Sequence, residues 1–242
     1  MSDIIDLTKK VEVVLDLRKI PQVKAQVCLC IDGSGSMQSL YKYGVVQKTV
    51  DRISAIAVKF DDNQELDVKV FSDDCNEAKA ATPEMFGSYV NNELLGKRLV
   101  PFGGTNYSPF INDVVSSYFS KNESVGKSVL GALKNLFGGK SDQKTSTSSK
   151  SDSGFPIFCI VITDGQNGDG LETTRLLEQM KDKDIYWQFV GIGSERFDYV
   201  SHLADSLPNV GFFAINDLDC VKDMELYKNL LSEEFANFIK KF

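Results

Sequence analysis

Asp32, Ser34 and Ser36 stand at alternate positions in the stretch CLCIDGSGSM (28–37), directly behind a run of apolar residues. Carboxylate and hydroxyl oxygens are the donors that a hard divalent cation takes, whereas soft or borderline metals take sulfur and imidazole. A turn needs the glycines of this stretch. It does not need three oxygen-bearing side chains at once. Two further stretches offer the same kind of donor. FGGTNY (102–107) presents Thr105 behind two glycines that let the backbone approach closely, and FCIVITDG (158–165) ends on Asp164. Asp32, Ser34, Ser36, Thr105 and Asp164 are therefore the candidate metal ligands, two carboxylates and three hydroxyls.

These residues need elements that bring them to one place. AQVCLCI (25–31) and FPIFCIVITDG (155–165) are almost wholly apolar, which suits strands covered on both faces, as in a parallel sheet. LDVKVFS (66–72), IYWQFVGIG (185–193) and VGFFAI (210–215) read as further strands. Tyr43, Val46, Val50, Ile53, Ala57 and Phe60 recur at helical steps. Helices are also expected at 83–95, with a proline near the start, and at 110–119, 171–184 and 196–207. A closing amphipathic helix is expected over 226–242, its apolar side formed by Leu226, Leu230, Leu231, Phe235, Phe238 and Ile239. VEVVLDL (11–17) alternates, so residues 1–24 are expected as an N-terminal strand extension. Strands alternating with helices predict an α/β fold: a doubly wound, mostly parallel sheet with helices on both faces and one antiparallel edge strand. Ligands of such sheets lie beyond the carboxyl ends of the strands, where the strand order reverses. All of this is read as one domain, 1–242, interrupted by a flexible Ser/Lys-rich insertion at 121–154.

The chain has 242 residues, 42% hydrophobic and 25% charged, with a net charge of −7. That balance argues against nucleic acid as the main partner, which demands a basic face. No stretch approaches the ~20 apolar residues of a membrane span, and the start lacks the basic region of a signal peptide. Cys28, Cys30, Cys75, Cys159 and Cys220 read as thiols in a reducing compartment, so the expected location is cytoplasmic. Cys28 and Cys30 share one side of their strand, but no second C-x-C or C-x-x-C exists to close a zinc site.

Plainer and rival readings exist for the same residues. Asp32 and Ser34 could cap the following helix, and Asp164-Gly165 could be a turn. Serine hydrolysis wants G-x-S-x-G, yet Asp32 stands two before Ser34 and His202 would be the one available base. KNESVGKS (121–128) ends like a P-loop but begins on Lys121 with no apolar strand before it. The loop 164–170 lacks the glycine of a calcium-binding hand, where Asp169 stands. A metal-dependent phosphatase would place a second carboxylate where serines stand here, and serine without a base is a poor nucleophile. His202 reads as a surface or half-buried helix residue, and Trp187 as core.

Asp32-Gly-Ser34-Gly-Ser36, then Gly104-Thr105, then Thr163-Asp164-Gly165 resembles the von Willebrand factor A family and its metal-ion-dependent adhesion site, over nearly the whole chain. VEVVLDLRKI, GGTNYSP, YWQFVGIGSERFDYV and LYKNLLSEEFANFI are similar to the bacterial cytoplasmic A domains associated with tellurium resistance and stress response. The resemblance implies Mg²⁺, or Mn²⁺ or Ca²⁺, held by Ser34, Ser36 and Thr105 more directly and by Asp32 and Asp164 mainly through water. It implies a non-catalytic protein-protein interaction module whose partner supplies an Asp or Glu to the metal. The alternative is a scaffold that binds through its insertion or closing helix around a purely structural metal. A metal-dependent hydrolase stands behind both.

Overall fold

The computed structural model describes residues 3–61, 63–119, 151–165 and 167–242. At its centre is a six-stranded sheet of β1 (Gln26–Asp32), β2 (Asp67–Phe71), β3 (Cys75–Glu77), β4 (Ile157–Thr163), β5 (Ile185–Ile192) and β6 (Val210–Ile215), in the order β3-β2-β1-β4-β5-β6. Every neighbouring pair is parallel except β2 with β3, an antiparallel edge pair that meets at Phe71 and Cys75. The order runs outward in both directions from β1 and β4, so the reversal lies between them. Their carboxyl ends carry Asp32 and Thr163-Asp164.

Alternation along the strands builds two cores, one on each face. Val27, Leu29 and Ile31 of β1 join Phe158, Ile160 and Ile162 of β4 on one face. There they meet α1 (Ile4–Arg18), α3 (Val45–Phe60), α7 (Asp223–Leu230) and α8 (Glu233–Ile239). Cys28 and Cys30 join Ile157, Cys159 and Val161 on the other face. That face lies under α4 (Ser108–Phe119), α5 (Gly170–Gln179) and α6 (Asp198–Ser206). A short α2 (Gln38–Lys42) follows the first loop.

The N-terminal segment is a helix, not the strand expected for 11–17. Asp3 caps it by accepting from Asp6 N at 2.8 Å, and Lys19 ends it in the left-handed region at φ 52°. The buried side is Leu7, Val11 and Val14, at steps of four and three, while Val13 and Leu17 are exposed. The alternation in VEVVLDL covers only the last two turns of this pattern. Lys10 binds Asp223 at 2.8 Å, and Arg52 binds the same carboxylate at 2.9 Å, tying α1, α3 and α7 together.

Two other expected helices are broken. Residues 83–95 form a 3₁₀ turn (Pro83–Met85) and a π-helical turn (Val90–Leu95), separated by Gly87 at φ 75°. Two polar side chains of α3 hold this segment: Gly87 N donates to Asp51 Oδ1 at 2.9 Å and Val90 N to Gln47 Oε1 at 2.6 Å. The closing helix divides into α7 and α8 at Ser232, whose hydroxyl accepts from Phe235 N at 3.3 Å as a new N-cap. Its six apolar positions are all buried as expected. The insertion expected at 121–154 lies outside the described residues except for 151–154. Those four are fastened by Asp152 N to Tyr118 O at 2.7 Å and by Ser153 Oγ to Gln26 Oε1 at 2.6 Å.

Candidate metal centre

Asp32 is the last residue of β1 and is fully buried. Its Oδ1 accepts from Ser34 N at 2.8 Å and its Oδ2 from Thr163 Oγ1 at 2.6 Å. The Ser34 hydroxyl lies 3.0 Å from that of Ser36, which donates to Asp164 Oδ1 at 2.7 Å. Asp32, Ser34, Ser36 and Asp164 thus form one polar ladder across the gap between β1 and β4. It runs from a buried carboxylate through a buried serine to an exposed serine and a half-buried carboxylate.

The third loop is joined to the first through its backbone. Ser34 and Gly103 form a parallel bridge, and Gly35 N donates to Gly103 O at 3.0 Å. Thr105 follows, half-buried, its carbonyl accepting from Gly168 N at 2.7 Å. Among the described residues no hydrogen bond links the Thr105 side chain to the other four candidates. The structure therefore brings four of the five into direct contact and sets the fifth on an adjoining loop.

Sequence reasoning quoted Thr163 in a motif and Asp169 in a loop but assigned neither them nor Ser72 and Asp73 the role of holding these loops. Thr163 bridges Asp32 and the Tyr107 hydroxyl, which is 3.3 Å away. Ser72 and Asp73, just beyond β2, secure the glycine loop: Ser72 Oγ donates to Gly104 O at 2.8 Å and Gly104 N to Asp73 Oδ2 at 3.0 Å. A Cβ on Gly104 would lie 2.5 Å from Asp73 Oδ1, so a side chain there would displace the exposed Asp73 carboxylate that tethers the loop. Asp169 accepts from Tyr107 N at 2.9 Å and Ser108 N at 2.8 Å, satisfying the first free amides of α4. Burial opposes its ionisation, but these bonds and that of Thr173 outweigh burial and hold its carboxyl below the usual range. The signal for Ser72 and Asp73 is the SDD that follows β2 at the same sheet edge.

The electrostatics fit a cation. Burial pushes the Asp32 carboxyl above the usual range, and the charge of Asp164 adds to this against the bonds from Thr163 and Ser34. Burial likewise raises Asp164, with Glu195 adding repulsion and Ser36 opposing. Among the described residues no Lys, Arg or His pairs with either carboxylate. A buried and a half-buried acid joined through two hydroxyls, with no basic side chain beside them among the described residues, are stabilised by a positive charge between them. The donors are all oxygen, the set a hard divalent cation selects.

A sheet of this topology, with aspartate and serines at the switch point and a Thr-bearing loop beside them, defines a von Willebrand A domain. The chain belongs to the vWA-TerF-like family, described as the vWA found in the TerF C terminus, whose family model matches residues 24–133 and 140–242. It is 35% identical over 236 residues to the Bacillus subtilis (strain 168) protein YcbR, described as uncharacterized, spanning 95% of this chain and 84% of that one. Among solved structures, proximal thread matrix protein 1 of the mussel byssus superposes with a TM-score of 0.56 at 16% identity, over 87% of this chain and 48% of that one. This chain therefore spans about half the length of the mussel protein. Another structure of that mussel protein has a zinc-occupied MIDAS motif. The manganese-loaded Plasmodium vivax TRAP protein superposes at 0.50 with 14% identity, over 89% of this chain and 73% of that one. No helix among the described residues is long and apolar enough to cross a membrane.

Proposed function

We propose that this chain is a divalent-metal-dependent protein-interaction module, with Asp32, Ser34, Ser36, Thr105 and Asp164 holding Mg²⁺, or Mn²⁺ or Ca²⁺. The observation that carries the reading is the ladder of Asp32, Ser34, Ser36 and Asp164, two carboxylates and two hydroxyls with no basic partner among the described residues. When bound, the cation supplies an electrophilic centre that accepts a further carboxylate from outside. The buried end of the ladder fixes the site, and the exposed Ser36 faces an incoming Asp or Glu of a partner. Thr163, Asp73 and Asp169 act as positioning residues.

A hydrolase reading is weaker. Ser36 already donates to Asp164, and His202 is exposed on α6. A scaffold reading through the closing helices is weaker too, because their apolar side faces the core. The family name and the free thiols favour a cytoplasmic setting in tellurium resistance or stress response.

Mn²⁺ is a suitable probe because its paramagnetic signal reports its ligands. An acidic peptide should perturb the signal of protein-bound Mn²⁺, and the same peptide with Gln for Glu should not. Identical responses to both peptides, or none, would overturn the carboxylate-capture reading.

A further inference from the structure

Along β1 behind Asp32, on the buried side of the oxygen ladder, the sheet gathers three sulfurs. Cys28 and Cys30 lie two apart on β1 and so face the same side. The parallel register sets Cys159 of β4 opposite Cys28. The three Sγ atoms lie within 4.8 Å of one another, with Cys30 and Cys159 at 3.8 Å. All three residues are fully buried in the core beneath α4. Lys69 of β2 is the register partner of Cys30, and its ammonium binds Asp113 at 2.5 Å and Ser117 at 3.0 Å, both on α4.

We propose that Cys28, Cys30 and Cys159 form a trigonal, all-sulfur site for a soft metal ion of the Cu(I) class. Sulfur ligands select soft ions over Mg²⁺ or Ca²⁺. Among the described residues no fourth Cys, His or carboxylate joins the group, whereas a structural zinc site takes four ligands. A monovalent d¹⁰ ion is satisfied by three. Two thiolates and one thiol around Cu(I) leave one negative charge, and the Lys69 ammonium on the adjacent strand opposes it. Each thiol that becomes a thiolate passes its proton to solvent as its sulfur–metal bond forms. No oxidation state changes.

Because the sulfurs are buried, the ion enters while the chain folds, and the native protein takes it up slowly. This site is independent of the oxygen ladder: it draws on the opposite class of donor and does not depend on the proposed interaction function.

The test is anaerobic refolding with Cu(I), in competition with a chromogenic Cu(I) chelator. Retained copper is counted per chain, and its shell is read by X-ray absorption. The expected result is one Cu(I) per chain with an all-sulfur shell, retained when the other two cysteines are removed as Cys75→Ser and Cys220→Ser. Cys159→Val keeps the apolar volume and should lose the copper. If Cys159→Val does not fold, Cys30→Val serves, and the shell of the Cys75→Ser/Cys220→Ser protein is decisive on its own. A refolded wild type that retains no copper would overturn the proposal and leave the three cysteines as apolar filling. Copper that departs with Cys75 and Cys220 would overturn it equally.

Discussion

The hydroxyl of Thr163 donates to the buried Oδ2 of Asp32 across the β1–β4 gap at 2.6 Å. Among the described residues it is the one side-chain bond that joins the two strand ends at the buried base of the candidate metal centre. Thr163→Val keeps the shape and removes the donor, leaving that oxygen unpartnered. The variant should lose about 1–3 kcal/mol in urea unfolding with chelator present. Its metal affinity should fall by about tenfold or more, as for other residues that orient ligands.

Gly104 and Asp73 make a coupled pair. Gly104→Ala places a Cβ on Asp73 Oδ1, so the exposed Asp73 carboxylate must swing off Gly104 N, and with that tether of the Thr105 loop lost metal affinity should fall by up to roughly tenfold. Asp73→Ser in the same background removes the clash and should recover part of the loss. The recovery would appear as a non-additive double-mutant cycle in metal titrations.

The helical reading of the N-terminal segment has a simple check. Val14 is fully buried and Val13 is 48% exposed. Val14→Ser should cost about 2 kcal/mol or more, from lost burial and a poorly partnered hydroxyl. Val13→Ser should stay within about 0.5 kcal/mol. A strand with Val11, Val13 and Leu15 inward would give the reverse order in denaturant melts.

Asp67 predicts a pH dependence separate from the metal centre. Burial pushes its carboxyl up to about 6 from 3.8, against the bond from the Tyr118 hydroxyl. The folded state therefore holds a proton that the unfolded chain releases between about pH 4 and about pH 6. Stability from this group is fully present below the unfolded value and is lost as pH rises through the folded one. Asp67→Asn should remove that fall, a difference of up to about 2 kcal/mol between the two proteins across the window. Parallel unfolding curves at pH 4 and pH 6.5 would read it.

The strands were legible because the chain crosses the sheet in apolar runs. Residues 25–31 and 155–165 carry apolar side chains in both parities, and both faces of β1 and β4 are buried. Four of the five candidate ligands were legible as a group for the same reason: each terminates such a run or follows it directly. The N-terminal helix was not, because a seven-residue window shows alternation where the full segment has a period near four. The break at Ser232 follows from a single cap inside a continuous apolar stripe. Thr163, Asp73 and Asp169 act through bonds between loops distant in the chain, so their partners are not legible from the local TDG and SDD stretches that carry two of them. Cys159 joins Cys28 and Cys30 only through the register of β1 with β4. A C-x-C alone gives no hint of the third sulfur.

The central claim is that Asp32 anchors a divalent-cation site, and calorimetric titration of metal-stripped protein with Mg²⁺ tests it most directly. Wild type should bind one Mg²⁺ per chain. Asp32→Asn preserves the shape and the acceptor for Ser34 N but removes the charge, and should bind at least tenfold more weakly, a loss of about 1.4 kcal/mol or more. Equal binding by the two proteins, or no saturable binding by wild type with Mg²⁺, Mn²⁺ or Ca²⁺, would contradict the account.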